Sequence, residues 1–292
     1  MANETEIANF ITIGNAVSAG ISGAFVNASQ GLGLVYAESL PANTNVKKFR
    51  KSGSLTAEAI AESAAYTYST SSELTDTSVT ATATKKMVAT RMSVESLRFA
   101  ADVGAEMGRI AAVQGAALAR LFDADLKTLF SSISGIVTAT TVLTKDNLLD
   151  AQYTIFNGIK GAFSGKLVGM LDYKGANEMR KELTSATASI FGNMEALGLV
   201  GNPKSPQGYI GNFAGIDLYQ TDGLPSGGGD DTACIWDPAI CFAAAIDGVN
   251  GFNTVIQEPA VSNNMGRELV TYGFWNLVEW NDAAGCAVKS DT

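Results

Sequence analysis

Histidine is absent from the 292 residues of this chain. Its absence removes the commonest general base, every histidine-containing triad and the imidazole ligands of catalytic zinc. Cysteine is scarce as well: Cys234, Cys241 and Cys286 are odd in number, widely spaced and without a CxxC pair, so buried free thiols are expected. Charged residues are only 17% of the chain, below the usual quarter, whereas hydrophobic residues reach an ordinary 46%. A surface poor in charge and rich in Ala, Gly, Ser and Thr is one that other copies of the chain can cover. The plain alternative is a monomer with a bland polar surface. No apolar run is long enough to span a bilayer; the longest, around AICFAAAI, stops well short. The opening MANETEIANF has glutamates where a secretory signal would be basic, so a soluble cytoplasmic product is expected.

Sites of known chemistry are missing too. LVGNPKSPQG and PSGGGDD are glycine-rich but lack the order of a phosphate loop, and Gly31–Gly33 lacks the strand–turn–helix setting of a dinucleotide site. No GxSxG nucleophile turn occurs. Asp230 and Asp231, expected on a loop beside Asp222, have no calcium-ligand spacing and read as solvated carboxylates. The sequence therefore names no catalytic, cofactor-binding or metal residue, and the chain is not read as an enzyme.

The charge that is present is unevenly placed. Residues 217–292 hold eleven acidic and two basic residues, whereas residues 1–216 are balanced. Lys47, Lys48, Arg50 and Lys51 form the one positive cluster, which reads as a solvated loop or a charged subunit contact. An acidic chain of this kind is not a sequence-specific DNA binder.

Periodicity predicts an α+β fold. Residues 1–36 are small and weakly amphipathic; Ala16, Ala19, Ile21, Ala24 and Phe25 share one side of a short helix that needs something to lie on. From Leu74, Thr75, Thr77, Val79, Ala81 and Ala83 alternate with polar residues, and Tyr66 and Tyr68 sit in a similar alternation. Together these predict a long β-hairpin with almost no hydrophobic face of its own, an extension for neighbours to bury. Residues 94–130 predict a long helix with Ser93 as cap, with one narrow face through Leu97, Ala101, Gly104, Gly108 and Ala111–Ala112. A second, mixed face runs through Met107, Ile110, Gln114, Ala117–Leu118, Leu121–Phe122 and Asp125.

Further on, Asp146 is expected to cap a helix whose apolar side is Leu148, Leu149, Tyr153 and Phe156. KLVGMLDY reads as a strand, residues 176–193 as an amphipathic helix, and residues 208–225 as a hairpin with glycine turns. Asp237–Pro238 reads as a helix start, and the tail as two strands, the second aromatic, with residues 283–291 extending or following it.

This order of elements resembles the major capsid protein of tailed bacteriophages, the HK97-like fold. GNFAGIDLYQTDGLP (211–225) is similar to that superfamily's axial-domain segment, and NTVIQEPAVSNNMGRELVTYGFWNLV looks like its late strands. The resemblance implies an N-terminal arm over 1–36 and an extended loop over 37–93 lying on a neighbouring subunit. It implies a peripheral domain with a spine helix over 94–145, completed by a return segment over 250–292, and an axial domain over 146–249. The implied function is self-assembly into pentamers and hexamers of an icosahedral shell around double-stranded DNA, contacted non-specifically. The implied partners are other copies of the chain, a separate scaffolding protein, a portal protein and, on the outside, a decoration protein, with no membrane. The implied location is the virion capsid, and the host cytoplasm during assembly. Some members cross-link a loop lysine to an asparagine, and Lys47, Lys48 and Lys51 lie in the matching region. An encapsulin-like nanocompartment shell and a tail-tube or other virion structural protein are the alternatives.

Overall fold

The computed structural model describes residues 17–52, 76–93, 103–139, 142–159, 164–186, 208–224, 230–247, 252–257 and 266–290. Four helices and two main sheets make up these residues, so the α+β expectation holds.

Helix α1 (17–28) lies along α2 (Val103–Leu129). Val17, Ile21 and Phe25, spaced by four, form the buried stripe of α1. Phe25 meets Phe122 of α2 edge-on, with 5.8 Å between centroids, and also touches Phe252 and Trp275. The short helix thus finds its support within its own chain. The helices approach closely because position 115 is glycine: a Cβ there would stand 2.5 Å from that of Ala24 and 2.9 Å from the Ile21 carbonyl. Past the end of α1, Asp123 of α2 accepts hydrogen bonds from the Ser29 hydroxyl and the Gln30 and Gly31 amides.

α2 buries Met107, Ile110, Gln114, Leu118 and Phe122 of the second face read from the sequence, together with Leu126 and with Ala111 of the narrow face, while Leu121 is exposed. At 27 residues it is about 40 Å long. Ser93, the expected cap, instead ends the strand Thr84–Ser93 opposite Gly266; residues 94–102, with Leu97 and Ala101, lie outside the described residues.

Beneath α2 lies the first sheet. β1 (Tyr36–Ser39) runs parallel to β10 (Phe242–Ile246), which pairs antiparallel with the last part of β12 (Gly266–Glu279). Along the rest of β12, β4 (Thr84–Ser93) occupies one edge and β11 (Asn253–Gln257) the other. β12 alternates cleanly from Thr271 to Val278, its odd-numbered residues buried, so it does not hide both faces equally. Gln114 ties helix to sheet: it is fully buried, donates to Thr90 Oγ1 (2.9 Å) and the Leu269 carbonyl (3.1 Å), and accepts from the Thr271 hydroxyl (2.8 Å).

The second sheet has the order β5–β13–β9–β6–β8–β7, from Ile136–Ala139, Gly285–Ser290, Asp230–Trp236, Leu167–Leu171, Ile216–Gln220 and Tyr209–Phe213 respectively. The β7–β8 hairpin turns at Ala214 and Gly215, both at positive φ (51° and 86°), the two-residue turn that matches strand twist. β6 is buried throughout and lies between two strands. Helix α3 (Lys145–Ile159) packs on β13, β5 and β9, and α4 (Tyr173–Ala186) on β6 and β9. β10 belongs to the first sheet and β13 to the second, so the chain crosses between sheets on both sides of residue 250.

Three local readings are corrected. α3 buries Leu148, Ala151, Ile155 and Ile159, while Leu149, Tyr153 and Phe156 are exposed. The two stripes are neighbours on the helix, and the sheet takes the smaller, branched side chains. Its cap is Thr144 rather than Asp146: the Asn147 amide donates to Thr144 Oγ1, and Asn147 Oδ1 accepts from the Thr144 amide and hydroxyl. Asp237–Pro238 starts no helix. The Asp237 carbonyl accepts from the Ile240 and Cys241 amides for a single turn, after which β10 begins. The run Phe242–Ala245 continues as a strand buried between β1 and β12, because lateral pairing is available to it on both sides.

Candidate assembly surfaces

Among the described residues, no group of three or more Cys, Asp or Glu is arranged to hold a metal ion. A cleft of 390 Å³ lies between α1, α2, the start of α4 and the end of β8, lined by Gln30, Arg120, Asp123, Lys127, Tyr173 and Asp222 among others. Its carboxylates are occupied. Asp123 holds the chain past α1, and Asp222 accepts from Lys127 at 2.8 Å, which lowers its pKa from the usual range. Asp230 and Asp231, expected on a loop, open strand β9 opposite Ser290 and Lys289. All three cysteines are buried free thiols, as expected; burial pushes Cys241 well up and Cys286 up to about 12. Thiolates are strongly disfavoured at both sites.

What the structure does present is a set of candidate contact surfaces. The first is a two-stranded ribbon, β2 (Val46–Ser52) against β3 (Asp76–Thr82). The basic run is therefore a strand, and it supplies the partner for the alternating run after Leu74. Tyr66 and Tyr68 lie outside the described residues. One face of the ribbon turns toward the first sheet. Phe49 and Ala81 are buried with Ala243 and Ala245 of β10, beside Leu40, Val278 and Trp280. Tyr36 and Trp280 stack at 5.3 Å, and Phe49 sits 6.0 Å from Trp280. Alanines at 243 and 245 leave the room that Phe49 fills. The indole N–H of Trp280 is buried with no acceptor among the described residues.

Polar contacts fasten the same base. Lys47 pairs with Glu38, which also accepts from the Tyr36 hydroxyl; the Lys47 contact first, and then Tyr36, hold the Glu38 carboxyl below its usual range. Lys51 donates to Asn281 Oδ1 of its own chain. Of Lys47, Lys48 and Lys51, Lys48 alone is exposed with no ion pair or side-chain hydrogen bond among the described residues.

Close to that base, Glu279 and Asp282 form a carboxylate pair. Ser132 donates to Glu279 and Ser134 donates to Asp282 through its amide and hydroxyl. Burial first, and the neighbouring Asp282 carboxylate next, push Glu279 above its ordinary 4.5. Burial also acts on Asp282, but the Ser134 donors outweigh it and Asp282 sits below its ordinary value. As pH rises, Asp282 therefore releases its proton before Glu279 does. A raised carboxyl pKa means that the folded state binds a proton the unfolded chain has released. That contribution is present at pH 4.5 and is lost as pH rises through the folded-state pKa. Glu279→Gln mimics the protonated form, so it should raise the melting temperature relative to wild type at pH 7 and bring the two together near pH 4.5. Parallel melting curves for the two proteins across that range would refute the assignment.

A second surface is the outward face of the first sheet. Met87 (57% exposed) pairs with Tyr272, whose ring lies 4.2 Å from Lys85 Nζ, and exposed Val255 follows on β11. The third is α3, with Leu149, Tyr153 (71% exposed) and Phe156. Single exposed hydrophobics are ordinary, whereas rows along one element mark contact sites.

No protein-family model matches the chain, and no curated protein matches its sequence. Solved structures do match. The capsid of cyanophage P-SCSP1u superposes with a TM-score of 0.63 at 10% identity, covering 89% of this chain and 87% of that one. The capsid of a native GTA particle gives 0.62 at 12% identity, covering 91% of both chains. The mature capsid of bacteriophage PhiM1 gives 0.60 at 13% identity, covering 90% of this chain and 87% of that one. The mixed α+β fold is therefore a capsid-like one. More particularly, the chain shares the HK97-like fold of these phage and GTA capsid proteins, as its element order led one to expect.

Proposed function

We propose that the chain is a major capsid protein, self-assembling into hexamers and pentamers of an icosahedral shell that encloses double-stranded DNA. The observation that carries this reading is the match in fold over about nine-tenths of both chains to several capsid subunits, with no large part left over for another activity. The ribbon, the exposed Met87 of β4, the apolar row on α3 and the low charge all supply surface for neighbours to cover. In this reading residues 1–36 are the arm and 37–93 the extended loop, with the ribbon at its base. Residues 94–145 and 250–292 form the peripheral domain with α2 as spine helix, and 146–249 the axial domain.

A separate scaffolding protein directs closure, a portal protein occupies one vertex and a decoration protein caps the outside. The subunit passes from host cytoplasm to virion capsid. DNA is held non-specifically; counterions screen its phosphates from a subunit of net charge -9. Particles purified from producing cells should contain nuclease-protected double-stranded DNA. Particles that carry a protein cargo and no DNA would contradict the capsid role and favour a nanocompartment.

A further inference from the structure

Two surfaces of this chain carry opposite charge at nearly the same pitch. On the ribbon, Lys48 and Arg50 are exposed and lie on the face shared with Thr80 and Ser78, turned away from Phe49 and the body. Neither takes part in any of the ion pairs among the described residues. Two residues apart on a strand, they stand about 6.6–6.8 Å from each other along the chain. On α3, Asp146 and Asp150 are exposed and likewise enter no ion pair among the described residues. Four residues apart on a helix, they stand about 6 Å from each other along its axis. Leu149 and Tyr153 continue the same helical face and are exposed.

We propose that the ribbon of one copy docks by its Lys48–Arg50 face on the Asp146–Leu149–Asp150–Tyr153 face of α3 in a second copy. The proposal rests on the shell reading and names one contact within it. Within one copy the ribbon is anchored on β10 and β12 of the first sheet, whereas α3 is anchored on β13 and β5 of the second. Each charged face turns outward from its own support. The contact joins unlike surfaces, so it repeats head to tail and closes a ring when the rotation permits. Leu149 and the Tyr153 ring give the lysine and arginine stems an apolar floor, and the ring faces attract the cations. Exposed pairs contribute little affinity each, so the contact chiefly selects register and partner orientation.

The test is charge reversal and its compensation in the full-length chain. Lys48→Asp/Arg50→Asp and Asp146→Lys/Asp150→Lys should each raise the concentration needed for assembly at least about tenfold, because like charges then face each other. The fourfold variant, with both faces exchanged, should return to near the wild-type concentration. Near-ultraviolet circular dichroism checks that each variant keeps its fold, and Lys48→Gln/Arg50→Gln replaces a variant that does not, with a smaller rise expected. If the wild type assembles and the reversals leave assembly unchanged, or the fourfold variant is as defective as either parent, the pairing is wrong and the shell reading stands. If the wild type forms no assembly under any condition, the shell reading falls and the pairing falls with it.

Discussion

Trp236→Ala is expected to destabilise the folded chain by about 4–8 kcal/mol, enough to unfold a domain of ordinary stability. Trp236 is fully buried at the end of β9, 5.1 Å from Phe130 and 5.8 Å from Phe242 by ring centroids. It therefore joins the second sheet to the segment after α2 and to the first sheet. Its indole also donates to the Leu34 carbonyl at 2.8 Å, holding the chain that leads into β1. Truncation forfeits about 3–5 kcal/mol of burial and leaves that carbonyl unpaired at about 1–3 kcal/mol more. Trp280→Phe is the contrasting control. The Trp280 N–H has no acceptor among the described residues, so its removal should change stability by no more than about 1 kcal/mol. Urea midpoints of the two variants decide the matter. A Trp236→Ala protein that unfolds within about 1 kcal/mol of wild type would show that the sheets are held together elsewhere.

Gly115→Leu is the second large effect. A leucine at 115 cannot fit between α1 and α2, since even a Cβ would stand 3.0 Å from the Phe25 amide and closer still to Ile21 and Ala24. Overpacking of this kind costs about 1–3 kcal/mol when the neighbour yields. Here the neighbour is backbone, so α1 must lift away and expose Val17, Ile21 and Phe25, each of which contributes about 1.5–3 kcal/mol when buried. Full exposure of the three forfeits about 4.5–9 kcal/mol, and a partial lift of α1 about half of that. Trp275, 6.0 Å from Phe25, should report the displacement as a change in fluorescence. Gly115→Ala should be milder, and Ala24→Gly in the same chain should relieve part of its cost. Additive losses in that pair would contradict the close crossing.

The parts of this fold legible in the sequence are those with strong local signals. The long helix, the β7–β8 hairpin, strand β6 and the aromatic strand β12 all declare themselves through periodicity or turn residues. Pairing across distance does not. β2 and β3 are 23 residues apart, and the basic run hides Phe49, the large apolar side chain that anchors the ribbon. α3 has two adjacent stripes of apolar residues, and tertiary packing chooses between them. The Asp237 signal is a real cap that lasts one turn, since its carboxylate serves Ser164 as well as Ala239 and the following residues find strands on both sides. The crossing of β10 and β13 between sheets leaves no local trace at all. The proposed docking faces are the least legible, because Lys48 with Arg50 and Asp146 with Asp150 look like ordinary solvated charge until the backbone sets them at one pitch.

The central claim is that this chain builds a shell from copies of itself. The most direct measurement is electron microscopy of the purified full-length chain over a range of concentrations, alone and with a co-expressed scaffolding protein. Rings of five or six subunits, or closed particles made from them, are the predicted result. A compact monomer under every one of those conditions would contradict it.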